Sequence, residues 1–413
     1  MIQVVSPFQF SKSICVPASK SVLQRLIALS TFCEETSMIK NVNYCDDVKA
    51  AINVAKTIGA EIQENADYLE IKGIPHPQNK SITINVNESG LCARMFSLIL
   101  PVFFENVIIE GNGTLLDRNM HSVINILNQA GCNVTSNHHR LPLIIEGIAN
   151  YQNISLQQID SSQIITGLLY AAALSRQASI ISLTNVVSVP YIQLSLHIAQ
   201  QFGLQIIASD EFKSIYIPAN QIIRPISNSA EGDWSNAAFF LVAGALSGKA
   251  ELYHLNPASF QGDKIIVEIL KQCGAYLYWN SDILIVEKSA LKPFEVDLTH
   301  YPDLFPPLSI LAAGIKGTSR LSGISRLINK ESQRDKAILK MLETLGVEAK
   351  IEDDTMFING KEKVNGGIIH SFNDHRIAMA AATAATIANS PITIVNTEAV
   401  NKSYPNFFND FLN

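Results

Sequence analysis

Three stretches in the C-terminal half concentrate side chains able to do chemistry. Asn373-Asp374-His375-Arg376 leads into an alanine-rich apolar run, and Asn329-Lys330-Glu331-Ser332-Gln333-Arg334 sets two cations around an acid. Asp303 follows Tyr301-Pro302, just ahead of another apolar run. Charge at the mouth of a buried-looking segment is costly unless it is paired or bound to a ligand. The carboxylates suit proton transfer, and the arginines suit a bound carboxylate or phosphate. Lys402, in Asn401-Lys402-Ser403-Tyr404-Pro405, adds a cation near the end.

The N-terminal half carries lighter versions of the same pattern. Pro17 and Ser19 read as a helix start, with Lys20 and Ser21 in the first turn and Arg25 one turn further on. Free backbone N–H groups and the positive end of the helix dipole favour an anion there. The plain alternative is a capped surface helix with ordinary Lys and Arg. Glu88-Ser89-Gly90 precedes Arg94 by one turn, and Gly90 would let a ligand approach the backbone. Asp160-Ser161-Ser162-Gln163 offers neutral hydrogen-bonding groups or a simple N-cap. Ser188-Val189-Pro190-Tyr191 offers a hydroxyl and a ring, or a capped helix with a packed tyrosine. Glu231-Gly232-Asp233-Trp234-Ser235 reads as a capped helix start with a structural role, and His138-His139 as an exposed turn, not a metal pair.

These clusters fall at corresponding places in a repeat. Gly59, Gly131, Gly203, Gly274 and Gly346 each close an amphipathic helical pattern, at spacings of 72, 72, 71 and 72 residues. After each glycine come two alternating apolar runs joined by a polar turn, which predicts a β-hairpin. Upstream of each lies a more apolar helix, beginning near Lys20, Gly90, Gln163, Ser235, Asp303 or His375. The unit is strand–helix–strand–helix–strand–strand. Six first helices but five closing glycines leave the last unit incomplete, and the N-terminal strand is expected to complete it. Three units per domain then predict one domain from residues 1–12 with 230–413, and a second from 13–229.

With 47% apolar and 16% charged residues in 413, the chain is globular and holds sizeable cores. A formal charge of −6 argues against a nucleic-acid partner, yet leaves room for a small anion in a locally cationic cleft. Six scattered cysteines with no CxxC pair predict a reducing compartment. The start has no signal-peptide pattern, and the longest uncharged run, 377–396, holds Asn389-Ser390-Pro391 and reads as a buried helix and turn instead of a membrane span. A soluble, cytoplasmic protein is expected.

Taken in order, Ser19-Lys20-Ser21 with Arg25, Ser161-Ser162-Gln163, Ser188-Val189-Pro190-Tyr191, Pro302-Asp303, Lys330-Glu331 with Arg334, and Asp374-His375-Arg376 resemble the EPSP synthase (3-phosphoshikimate 1-carboxyvinyltransferase) family over residues 17–405. The resemblance implies an α/β fold, a two-domain inside-out barrel of six βαβαββ repeats, three per domain, with helices buried and sheets outside. It implies transfer of the enolpyruvyl group of phosphoenolpyruvate to the 5-hydroxyl of shikimate 3-phosphate by addition and elimination, with release of phosphate, in an interdomain cleft. Lys20, Ser21 and Arg25 would hold the shikimate ring and phosphoenolpyruvate, Lys20 touching both. Ser161, Ser162, Gln163, Ser188, Tyr191, Asp303 and Lys330 would face shikimate 3-phosphate. Arg334 and Arg376 would clamp the phosphoenolpyruvate carboxylate, Gly90 and Lys402 would meet its phosphate, and Arg118 and Gln163 would also serve this substrate. Asp303 would be the base and Glu331 the proton donor to the methylene carbon, with Lys20 and His375 completing the catalytic set. The implied enzyme needs no metal, organic cofactor, nucleic acid or membrane, and a monomer is expected.

Four positions depart from the family pattern. Glu88 brings negative charge toward an anion site, and Leu91 replaces a threonine. Thr114 stands where the family usually has a phosphoenolpyruvate-binding arginine, a loss of roughly 1.5–3 kcal/mol if uncompensated. Gln333 replaces an aspartate and is expected to loosen Arg334. The sister enolpyruvyl transferases acting on UDP-N-acetylglucosamine carry a cysteine in the loop matching 111–118, and this loop has none. A non-catalytic paralogue that binds a phosphorylated ligand is the other alternative; Lys20, Asp303, Glu331, His375 and Arg376 speak against it.

Overall fold

All five helix-closing glycines take the left-handed backbone expected of them. Their φ values are +116° at Gly59, +86° at Gly131, +78° at Gly203, +91° at Gly274 and +70° at Gly346 in the computed structural model, which describes residues 1–157 and 161–413. Glycine enters this region without a Cβ clash, so each helix stops where the hairpin must begin. Each expected hairpin forms, Glu61–Glu64 with Tyr68–Lys72 being the first and Glu348–Glu352 with Thr355–Gly360 the last.

The α-helices are α1 (Lys20–Ser30), α2 (Asp46–Ile58), α3 (Gly90–Ile99), α4 (His121–Gln129), α5 (Ser162–Leu174), α6 (Val189–Gln201), α7 (Trp234–Ser247), α8 (Ile266–Gln272), α9 (Phe305–Ala313), α10 (Arg334–Thr344), α11 (His375–Ala384) and α12 (Phe407–Leu412). The odd-numbered helices from α1 to α11 are the six first helices of the repeats. Every residue of α3, α7, α9 and α11 is buried. A helix apolar on all sides needs cover on all sides. Neighbouring helices and the strands supply it, the strands with one face inward and the other in solvent, as in the alternating burial of Arg140–Glu146.

The chain divides into two compact units, Met1–Pro17 with Glu231–Asn413, and Ala18–Ala230. The crossings therefore fall after Pro17 and Ala230, not after residues 12 and 229. The strand Ser11–Cys15 runs parallel to Lys249–Tyr253 and so cannot be cut from the first unit. Conversely, Ser227–Ser229 runs parallel to Ser37–Lys40 and supplies the leading strand of the first repeat. Ile2–Val5 pairs antiparallel with Ile392–Val395, which completes the last repeat as a three-stranded sheet. Among the described residues, the other five sheets have four strands each.

Within Ala18–Ala230, α3 and α5 pack closely. A Cβ on Gly167 would lie 2.8 Å from Met95 Cα, so only a glycine permits that approach. Within the other unit, α7, α9 and α11 share a core that includes Phe239, Phe240, Leu308, Leu311 and Met379. Burial of such side chains stabilises by about 1.5–3 kcal/mol each. The run 377–396 forms the body of α11, a turn and a strand. Among the described residues, no helix is long and apolar enough to cross a membrane.

Candidate active site

The expected site residues divide between the units, most of them at or near helix starts. In Ala18–Ala230, Lys20 opens α1, Gly90 opens α3, Ser161 caps α5 and Ser188 precedes α6. Asp160 lies outside the described residues. Ser19 occupies the cap position of α1 without making a side-chain cap bond, whereas Ser161 Oγ accepts from the Gln163 N–H at 3.3 Å.

Two groups form in this unit. In the first, a Cβ on Gly90 would lie 2.7 Å from Arg118 Nη1 and 2.9 Å from Arg94 Nη1. Arg94 Nη1 donates to Gln163 Oε1 at 3.1 Å and to the Gly90 carbonyl at 3.2 Å. Two guanidiniums, 5% and 7% exposed, thus converge over the start of a ten-residue helix, where an anion is favoured. Thr114 brings no charge here. Glu88 Oε1 accepts from the Thr114 N–H at 3.3 Å and fills the space a Cβ on Gly113 would need. The Glu88 carboxylate is thereby laid on the backbone of its neighbouring loop. Leu91 is buried within α3.

The second group surrounds Arg25, which is 1% exposed. Its guanidinium donates to Ser195 Oγ at 3.0 Å, the Ser21 carbonyl at 2.7 Å and Thr166 Oγ1 at 3.1 Å. Ser195 Oγ in turn donates to the Tyr191 carbonyl at 2.8 Å. Arg25 therefore ties α1, α5 and α6 together beneath Ser162, Ser188 and Tyr191. Burial pulls its guanidinium below the usual arginine range. Lys20 Nζ pairs with Asp47 Oδ2 at 2.8 Å, both side chains largely buried.

The other unit holds a denser cluster. Asp303 sits in the turn Pro302–Leu304 ahead of α9, and its carboxylate accepts from Lys330 at 3.2 Å, Arg334 at 2.8 Å and Arg376 at 3.1 Å. Arg334, wholly buried, also donates from Nε to Asp374 Oδ2 at 2.9 Å and from Nη2 to Glu331. Asp374 caps α11 by accepting from the Arg376 N–H at 3.0 Å. His375 is fully buried and bonds Arg376 through Nε2. Lys402 Nζ donates to the Asn373 carbonyl at 2.8 Å. Gln333 is exposed, and the loosening of Arg334 expected from it is not seen, because three carboxylates hold that arginine.

Three carboxylates and three cations balance in this cluster. Burial opposes ionisation of Asp303, but Arg376, then Lys330 and Arg334, outweigh it and hold the carboxyl well below the usual range. Burial likewise opposes the charge on Arg334, and Asp374, Glu331 and Asp303 more than restore it. Burial draws the Lys330 ammonium down against the attraction of Asp303. An anion arriving here meets arginines already bonded to protein carboxylates, so it must compete for them.

Sequence reading passed over Asp47, Ser195 and Asp263, which carry no local signal: each meets its partner across 27 residues or more. Arg94 was legible as the cation one turn after Gly90, but its bond to Gln163 spans 69 residues. His138 and His139 are exposed on a hairpin turn, as expected.

The sequence matches the family EPSP synthase (3-phosphoshikimate 1-carboxyvinyltransferase) over residues 5–411. It is 36% identical to the 3-phosphoshikimate 1-carboxyvinyltransferase of Clostridium acetobutylicum, covering 98% of this chain and 95% of the relative. The enzyme of that name from Clostridium novyi is 33% identical, with 98% and 96% covered, and that from Methanocorpusculum labreanum 31%, with 98% and 97% covered. Two solved structures of EPSP synthase from Acinetobacter baumannii superpose with TM-scores of 0.81 and 0.78. At 24% and 23% identity, over 98% of this chain and 96–97% of theirs, they speak for the same fold.

Proposed function

The chain belongs to the EPSP synthase family, and from that premise we propose how its residues divide the reaction. It transfers the enolpyruvyl group of phosphoenolpyruvate to the 5-hydroxyl of shikimate 3-phosphate, giving 5-enolpyruvylshikimate 3-phosphate and phosphate, as a 3-phosphoshikimate 1-carboxyvinyltransferase (EC 2.5.1.19). The unit Ala18–Ala230 supplies the groups for shikimate 3-phosphate: Lys20, Ser21, Ser161, Ser162, Gln163, Ser188 and Tyr191, braced by Arg25. From the same unit Gly90, Gln163 and Arg118 serve phosphoenolpyruvate, as does Lys20. The other unit supplies Arg334 and Arg376 for the phosphoenolpyruvate carboxylate, Lys402 for its phosphate, Lys330 for shikimate 3-phosphate, and the acid and base.

The observation that carries this reading is the Asp303 carboxylate held among Lys330, Arg334 and Arg376. When the substrate carboxylate draws Arg334 and Arg376 to itself, Asp303 loses the charges that depress its pKa and becomes a stronger base. In the addition step the 5-hydroxyl oxygen bonds to C2 of phosphoenolpyruvate while Asp303 accepts its proton. Glu331 gives a proton to the C3 methylene carbon, making it a methyl group. In the elimination step the methyl carbon returns a proton to Glu331, the C2–C3 double bond reforms, and the bond from C2 to the phosphate oxygen breaks, the phosphate leaving with the proton held by Asp303. Buried His375 bonds Arg376 and fixes its direction.

A monomer is proposed as the catalytic unit. None of the six cysteines is in a disulfide, which supports a reducing, cytoplasmic setting. A phosphate-release assay with shikimate 3-phosphate and phosphoenolpyruvate tests the reading. Turnover is expected with this pair. Turnover only with UDP-N-acetylglucosamine as acceptor, or with neither acceptor, would overturn it.

A further inference from the structure

We propose that Asp263 takes up a proton when phosphoenolpyruvate binds, and thereby acts as a positioning residue that adjusts the charge around Asp303 and Arg376. The inference rests on the assignment of phosphoenolpyruvate to Arg334 and Arg376 made above.

Asp263 lies in the turn Gly262–Ile265 and is 0% exposed. Its Oδ2 accepts from Ser235 Oγ in the first turn of α7, and its Oδ1, equally buried, has no hydrogen-bond partner. A carboxylate so placed has half its acceptor capacity unmet, which disfavours the charged form and leaves one oxygen ready for a proton. Its charged neighbours are Asp233, the cap of α7, Asp303 ahead of α9, and Arg376 on α11. Tyr301 also lies within electrostatic reach. On its own turn and the helix that follows, Lys264 is bonded to the Pro257 carbonyl at 3.0 Å and Glu268 to Lys271 at 3.0 Å.

Arg376 is the cation that most favours the Asp263 carboxylate, and Asp303 already holds it at 3.1 Å. Burial, with the charge of Asp303 adding to it, pushes the Asp263 carboxyl up to about 6. A further negative charge at Arg376 pushes the same way. Phosphoenolpyruvate brings that charge and turns Arg376 toward itself. Asp263 answers by taking a proton from solvent onto Oδ1, and gives it back when the products leave. The proton count closes over the cycle, and no covalent bond to substrate is involved. The neutral carboxyl keeps its Ser235 contact, so the turn need not move as the local negative charge falls by one.

The test is the KM for phosphoenolpyruvate at saturating shikimate 3-phosphate, measured from about pH 5 to about pH 8 on the whole enzyme and on Asp263→Asn. Phosphoenolpyruvate titrates in the same range, so the informative quantity is the ratio of the wild-type KM to the variant KM. The ratio should be near one in acid, where Asp263 is already neutral. It should climb about tenfold as the pH rises through the titration of Asp263, the change that one unit of pKa displacement on binding produces. A purely structural Asp263 would shift the ratio equally at every pH, and a ratio flat with pH overturns the inference. Should Asp263→Asn fail to fold, Ser235→Ala decides. Loss of the hydroxyl donor disfavours the ionised form further, so the pH-dependent rise in KM should move to higher pH; an unmoved profile overturns the proposal. Absence of turnover in the wild type would instead sink the functional reading beneath it.

Discussion

Arg376 Nη2 donates to Asp303 Oδ2 at 3.1 Å, so the arginine assigned to a substrate carboxylate is bonded to the carboxylate assigned to accept the substrate proton. Each holds the other in its resting state. The ion pair keeps Asp303 ionised and weakly basic, and it keeps Arg376 from standing uncompensated in a buried place. On the roles proposed above, substrate binding and base activation are one event.

Asp303→Ala should lower kcat by about a hundredfold or more, the usual worth of a positioned acid or base. Binding of shikimate 3-phosphate should weaken far less, since its other proposed contacts survive. Steady-state kinetics with a separate titration of shikimate 3-phosphate checks this. Equal losses in both would count against Asp303 as the base.

Asp374→Ala should unfold easily. It removes one of the three carboxylates that hold the wholly buried Arg334, and the cap of α11 with it. Breaking a buried pair costs about 3–5 kcal/mol, and loss of a cap about 1 kcal/mol more. Urea unfolding midpoints measure it; a loss below about 1 kcal/mol would show that Asp303 and Glu331 are enough to hold Arg334.

Stability should respond to acid through Asp303. Its folded pKa is depressed, so its ionised form stabilises the fold above the usual carboxylate range, and that contribution is lost as the pH falls below it. Asp263 runs the other way. Its folded pKa is raised to about 6, so the stability tied to its neutral form is lost as the pH rises through that value. Denaturant unfolding across pH should show Asp303→Asn less sensitive to acid than the wild type, and Asp263→Asn gaining relative stability above about pH 6. Parallel curves for all three proteins would contradict both assignments.

Arg118→Ala should raise the KM for phosphoenolpyruvate by roughly ten- to a hundredfold, equivalent to one charge-assisted contact of about 1.5–3 kcal/mol. Arg94→Ala should behave similarly, because Arg94 shares the space over Gly90 with Arg118 and bonds Gln163. Gly90→Ala should raise that KM with little loss of stability, since the atoms nearest its Cβ are the ends of two arginine side chains. Unchanged KM values in all three would mean that the two guanidiniums over Gly90 do not serve phosphoenolpyruvate.

The repeat was legible in the chain because it rests on local rules. Gly59 and its four counterparts mark helix ends wherever they occur, and alternating apolar runs announce hairpins without reference to distant residues. Motif order likewise pointed to the family, and the cation and acid types at 303, 330, 331, 334 and 376 could be read directly. The crossing points could not. Ser11–Cys15 and Ser227–Ser229 join sheets whose other strands lie far off in the chain, and strand pairing has no local mark. Partnership among the charges was hidden for the same reason: Arg376 reaches Asp303 across 73 residues, and Ser235 reaches Asp263 across 28. Residue type sets what a group can do, but burial and neighbouring charge set its pKa, and those exist only once the helix starts have been brought together.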